Sequence, residues 1–183
     1  MIVYIHVPKT GGTSVYNAFK DQPSFRRFGH QTAEKVKTKL GEDVWYNDCF
    51  KWCFVRNVYD RFVSLYYFRK QVLECPDAID LNFNEWIKSS VELNNPLRMS
   101  QFYYMKTNNK IELDFVGRFE NFQSDFDVVC EKLKIKLSVN IDNVTDHKHY
   151  SEYYDVETVE LFKKCCKEEI DYFGFEFQKL CWY

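Results

Sequence analysis

The stretch "IVYIHVPKTGGTS", from Ile2 to Ser14, decides how this chain is read. Its opening residues, Ile2 to Val7, are apolar and β-branched without alternation, which predicts a strand buried on both faces. The glycine pair Gly11-Gly12 then turns the chain, and beyond it Val15, Ala18 and Phe19 recur at helical spacing. Strand, tight loop and helix is the context of a phosphate loop. The nucleotide-hydrolysing version of that loop is G-x-x-x-x-G-K-[ST], yet here Lys9 precedes Gly11 and Gly12. Glycines at these positions let consecutive backbone N–H groups turn inward, and the following helix aims its positive end at the same spot. Lys9 adds a mobile charge, and the Thr13 and Ser14 hydroxyls can donate to phosphate-like oxygens or cap the helix. The plain alternative is a Gly-Gly turn with a solvated lysine. The flanking strand and helix favour an anion site.

Working outward, Gln31 to Leu40 reads as a helix with Ala33, Val36 and Leu40 on one face and Gly41 at its stop, and His30 stands just before it. "CFKWCFV" from Cys49 to Val55 reads as a second buried strand. Phe62, Leu65 and Tyr66 mark a helix behind it, with Arg56 and Asn57 at the junction. Asn82 with Glu85 has the form of a capping box that opens a helix through Trp86 and Ile87. "DFVGRFENF" predicts a third strand ending near Gly117, followed by a helix striped by Phe122, Phe126, Val129 and Leu133. A last helix is predicted to carry Val156, Val159, Phe162, Cys166, Ile170 and Phe173 and to stop at Gly174.

Alternating strands and helices imply βαβ crossovers, so the expected fold is a three-layer α/β domain: a P-loop-like, mainly parallel sheet flanked by helices. Ligands of such sheets bind beyond the carboxyl ends of the strands, which puts Pro8–Ser14 and Arg56–Tyr59 on one rim. Arg56 and Ser64, about two helical turns apart, can clamp a second phosphate. The competing reading pairs Arg56 with Asp60 and leaves Ser64 facing solvent.

Composition narrows the partners. With 183 residues and 45% hydrophobic content, the expectation is a single domain over residues 1–183 with a full core. A net charge of -2 provides no global basic field for nucleic acid, so any anion site is built locally. Seven cysteines without a C-x-x-C pair and no basic signal region point to the reducing cytoplasm. No run approaches the roughly 18 apolar residues of a membrane span. The sequon Asn143-Val144-Thr145 is discounted without a secretory route. His147 and His149 with Cys165 or Cys166 match no standard zinc spacing, and no metal is expected.

Together "HVPKTGGTS", "FGHQTAEKVKTKLG", "FVRNVYDRFVSLYYF" and "DFVGRFENFQSDF" resemble the carbohydrate sulfotransferases related to the heparan sulfate 2-O- and chondroitin enzymes, in the family's order from His6 to about Phe177. A looser match runs through "HKHYSEYYD" and "DYFGFEF". The resemblance implies a donor, 3'-phosphoadenosine 5'-phosphosulfate (PAPS), with its phosphosulfate in the loop Lys9, Thr10, Gly11, Gly12, Thr13 and Ser14. It implies Arg56 and Ser64 on the 3'-phosphate, the bisphosphate PAP as product, and no metal, since Lys9 and the loop N–H groups neutralise the charge that Mg2+ covers in a kinase. The acceptor it implies is a hydroxyl on a glycan or other small molecule. Val58 departs from the family, where proline is usual after Arg-Asn.

Sulfuryl transfer to an alcohol needs a base and positive charge at the leaving oxygen. Lys9 suits the second role. His30, in the "GHQTA" segment where family members carry a histidine thought to act as base, suits the first; the competing reading is a cap for the helix that begins near Thr32. His6 is expected to pack within the first strand. Arg118, Lys148 and Tyr150 stay outside the assignment. Acceptor contacts are expected from loops around residues 70 to 110, where Trp86, Phe102, Tyr103 and Tyr104 either stack on sugar or fill the core. Two other readings stand beside this one: a P-loop small-molecule kinase, which lacks a lysine at the end of its loop and an evident Mg2+-holding Asp, and a non-catalytic nucleotide-binding relative.

Overall fold

The computed structural model describes residues 1–93, 100–140 and 146–178, so the sequon at Asn143–Thr145 lies outside the described residues. The chain forms two compact units, Met1–Arg56 with Gln101–Val144, and Asn57–Ser100 with Thr145–Tyr183.

The first unit holds the sheet. Strands β1 (Ile2–Tyr4), β2 (Phe25–Arg26), β3 (Phe50–Val55) and β6 (Phe115–Arg118) lie in the order β2-β1-β3-β6, and every pairing is parallel. A short antiparallel pair, β4 (Lys106–Thr107) with β5 (Lys110–Ile111), turns through Asn108 and Asn109, both at positive φ. Side chains alternate across the sheet. Ile2, Tyr4, Trp52 and Phe54 face the helices Gly12–Phe19 and Phe122–Leu133, whose Val15, Phe19, Phe122, Phe126 and Val129 close one core. Trp52 is its centre, with ring centroids 4.7 Å from Tyr4, 5.7 Å from Phe19 and 5.6 Å from Phe54. On the other face, Lys51 sends its ammonium to the Trp45 carbonyl at 3.1 Å, which sets the helix Glu42–Asn47 there. With both faces covered, Val3, Cys53 and Val55 are fully buried, which accounts for the unalternating apolar runs. The fold is the expected α/β one, a parallel sheet between layers of helices.

The strand expected over Ile2–Val7 ends at Tyr4. The Ile5 N–H still reaches the Trp52 carbonyl, but the Val7 N–H bonds back to the Ile5 carbonyl at 3.1 Å, so the chain has already turned out of the ladder.

The second unit is helical. Phe62 and Tyr66 on Val58–Gln71 meet Trp86 on Phe83–Glu92, each with rings 5.5 Å apart, and Phe62 meets Phe162 on Val156–Cys165 at 4.6 Å. The box at Asn82 is formed in both directions: the Glu85 N–H donates to Asn82 Oδ1 at 3.1 Å and the Asn82 N–H to Glu85 Oε2 at 2.9 Å. The single last helix expected over Val156–Phe173 is two helices, Val156–Cys165 and Lys167–Phe173. Cys166, buried between them at φ -103°, ψ 16°, leaves helical geometry, and Val156 lies exposed rather than on the stripe. Among the described residues, no helix is long and apolar enough to cross a membrane.

Candidate functional site

The candidate site begins where the loop leaves β1. Lys9 sits at φ 67° and Gly11 at φ 82°, two left-handed residues that fold the loop back over the start of the helix. Thr10 is fully buried, and its hydroxyl donates to the Val7 carbonyl at 2.8 Å, so its side chain holds the loop's own shape. Gly11 is the N-cap of Gly12–Phe19 and brings no side-chain cap. First-turn N–H groups have no acceptor earlier in a helix, which makes such an end an anion seat. Both glycines are required by their surroundings. A Cβ on Gly11 would lie 2.6 Å from the Phe122 ring, and one on Gly12 would lie 1.9 Å from His6 Nε2.

Two cations converge here. Arg56, at the end of β3, donates from Nη1 to the Lys9 carbonyl at 3.2 Å, and its guanidinium lies 4.3 Å over the centroid of the Phe119 ring. Its backbone is clasped from both sides: the Arg56 N–H donates to Gln101 Oε1 at 2.9 Å, and Gln101 Nε2 donates to the Arg56 carbonyl at 3.0 Å. Burial, and then the charge of Arg56, push the Lys9 ammonium down to about 8.

His30 reaches the site through His6. It is exposed, and its Nδ1 lies 3.2 Å from the His6 carbonyl. A carbonyl only accepts, so Nδ1 carries the hydrogen and Nε2 of the neutral ring is the basic nitrogen. The helix after it is capped instead by Thr32, whose hydroxyl accepts from the Lys35 N–H at 3.2 Å. His6, expected within the first strand, lies past the strand's end and is buried, with its ring centroid 4.0 Å from that of His30. Burial first, then the charges of His30, Arg27 and Lys9, push its imidazole down to about 3, so His6 is neutral.

The structure therefore brings together Lys9, Thr10, Gly11, Gly12, Thr13, Ser14, Arg56 and His30 in the first unit. Ser64 lies in the second, buried on Val58–Gln71. That helix is capped by Asn57, whose Oδ1 accepts from the Tyr59 N–H at 3.1 Å, with Val58 buried at the first helical position where proline is usual. Three contributors were missed by sequence reasoning. Gln101 carries no local signal, Phe119 sat unremarked in "GRFENF", and His6 adjoined the motif but was assigned to the strand. Of the aromatic residues expected around an acceptor, Trp86, Phe102 and Tyr104 are buried and Tyr103 is exposed. A groove of about 980 Å3 in the second unit, floored by Tyr59, Tyr154 and Phe177, contains none of the predicted site residues, and its Lys163 and Lys167 pair with Glu160 and Asp171. Among the described residues no group of three His, Cys, Asp or Glu side chains is arranged to hold a metal ion.

An uncharacterized protein of Archaeoglobus fulgidus is 26% identical over 116 residues, covering 62% of this chain and 92% of its own length. The profile of the sulfotransferase family matches residues 1–175, which contain the loop, Arg56 and His30. A parallel sheet with an uncapped helix end and two cations at its rim agrees with that match, and the chain belongs to the sulfotransferase family.

Proposed function

We propose that this sulfotransferase moves a sulfuryl group from PAPS to a hydroxyl of a carbohydrate or other small alcohol. One observation carries the reading: an N-cap glycine leaves the helix end at Gly12 uncapped while Lys9, pushed down to about 8, sits in the same loop bonded to Arg56. An anion with a phosphate and a sulfate suits a helix N-terminus flanked by two cations. In this assignment Lys9 to Ser14 take the 5'-phosphosulfate and Arg56 takes the 3'-phosphate. Ser64 joins Arg56 on the strength of the family resemblance.

The chain's own groups then divide the reaction. His30 Nε2 takes the proton of the acceptor hydroxyl as its oxygen bonds to sulfur, and the bond from sulfur to the bridging oxygen breaks with its electron pair left on the 5'-phosphate. Lys9 and the loop N–H groups stabilise that developing charge. No step needs a metal ion's charge. The six cysteines among the described residues are all free, which supports a reducing compartment such as the cytoplasm.

The test is thermal. The bisphosphate PAP should raise the melting temperature far more than ATP with Mg2+ does. An equal response to both, or none, refutes the donor, and Mg2+-dependent ATP consumption would turn the reading toward a kinase. His30→Ala should abolish transfer and keep the PAP response; substantial residual transfer removes His30 from the base role. PAP binding without transfer to any acceptor in a broad panel would mark a non-catalytic relative.

A further inference from the structure

His6, expected to pack within the first strand, lies past its end, with its ring against both His30 and Gly12. Its ring is nine-tenths buried, 5.1 Å from the Tyr16 ring in an edge-on contact and 4.0 Å from the His30 ring at a tilt of 34°. Its Nε2 edge occupies the space that a side chain on Gly12 would need. Its Nδ1 is buried without a hydrogen-bond partner among the described residues. A position serving packing alone is better filled by an apolar side chain, because a buried unsatisfied polar atom costs about 1–3 kcal/mol.

His30, by contrast, is exposed, and both of its described contacts are with His6: the ring contact, and the bond from Nδ1–H to the His6 carbonyl at 3.2 Å. One residue thus touches the glycine that shapes the loop and fixes the plane of the base. We infer that His6 is the positioning residue of the His30 base, its backbone carbonyl holding the Nδ1–H tautomer and its ring holding the plane, with Nε2 left to accept the acceptor's proton in register with the loop that seats the sulfur. In-line transfer depends on that register, since a misplacement of about 1 Å costs about 100-fold in rate.

The inference rests on His30 as the base, and its test separates the two. In 15N-labelled protein, the His30 ring shifts of the wild type should show a protonated Nδ1. The Nδ1–H bond goes to the backbone carbonyl of position 6, so His6→Ala should keep the tautomer but, with the neighbouring ring gone, shift and broaden the His30 ring signals as the base loses its fixed plane. It should also lower kcat about 100-fold while the PAP dissociation constant stays within about threefold, the pattern of a group needed in the transition state rather than for ground-state binding. Three results would overturn the inference: a bare Nδ1 on His30 in the wild type, His30 ring signals as sharp and unshifted in a folded His6→Ala as in the wild type, or a kcat loss matched by an equal loss of PAP affinity. The wild-type measurement decides even if His6→Ala does not fold. Turnover surviving in His30→Ala would remove the base assignment and leave the tautomer result standing by itself.

Discussion

In the proposed assignment, Lys9 makes the donor site pH-sensitive in a calculable way. In the unliganded chain its ammonium is pushed from 10.5 to about 8, by burial first and by Arg56 second. A bound phosphosulfate or PAP places negative charge against that ammonium and raises it again, so binding above pH 8 must take up a proton. At about pH 9.5 only about 3% of the unliganded protein would hold Lys9 charged, so the PAP dissociation constant should rise about 30-fold between about pH 7 and about pH 9.5. The phosphates lose their last proton near pH 6 and Tyr16 is pushed up to about 12, so neither titrates in that window. Stability runs the other way. The folded chain binds fewer protons than the unfolded one between about 8 and 10.5, so this group makes the unliganded protein more stable as pH rises through that range, while the stabilisation added by PAP shrinks. Titration calorimetry at several pH values, with circular dichroism confirming the fold at each, reads the first effect. Lys9→Met should bind weakly at all of them with a flat profile. A flat profile in the wild type, or the same slope in Lys9→Met, refutes the reasoning.

Gly12→Ala would place a methyl 1.9 Å from His6 Nε2, and the rings of Tyr16 and His30 leave His6 little room to yield. Overpacking of this kind costs about 1–3 kcal/mol, so a scanning melt should show a fall of several degrees together with loss of the PAP response; a wild-type melt with an intact response would contradict the packing described. Arg56→Gln should reduce the preference for PAP over adenosine 5'-phosphate by about 10- to 100-fold, the worth of a charge-assisted hydrogen bond. Calorimetry with both nucleotides measures it, and an undiminished ratio would take Arg56 off the 3'-phosphate.

Much of the fold was legible because its signals are local. The apolar runs of β1 and β3, the glycine pair, the box at Asn82 and the stop at Gly41 each declare themselves within a few residues, and the structure carries all of them. The errors fall where tertiary packing overrides local pattern. The apolar stripe predicted from Val156 to Phe173 continues through Cys166 in sequence, but the backbone leaves helical geometry at the buried Cys166 and two helices form. β2 is only two residues long, and Phe25 and Arg26 form a strand because β1 offers them an edge to pair with.

The sequence by itself determined the strand-loop-helix proposed to seat an anion and the order of elements that implies a parallel sheet. It also supplied the residue types able to serve as cation and base, since each depends on backbone freedom, periodicity or side-chain chemistry readable at one place. Only the tertiary structure decided which groups hold those residues in place. Gln101 clasps the Arg56 backbone from 45 positions away, Phe119 lies under its guanidinium, and His6 joins Gly12 to His30 across 24 positions. Such contacts leave no period or spacing in the chain, because they exist only once distant segments have been packed against one another.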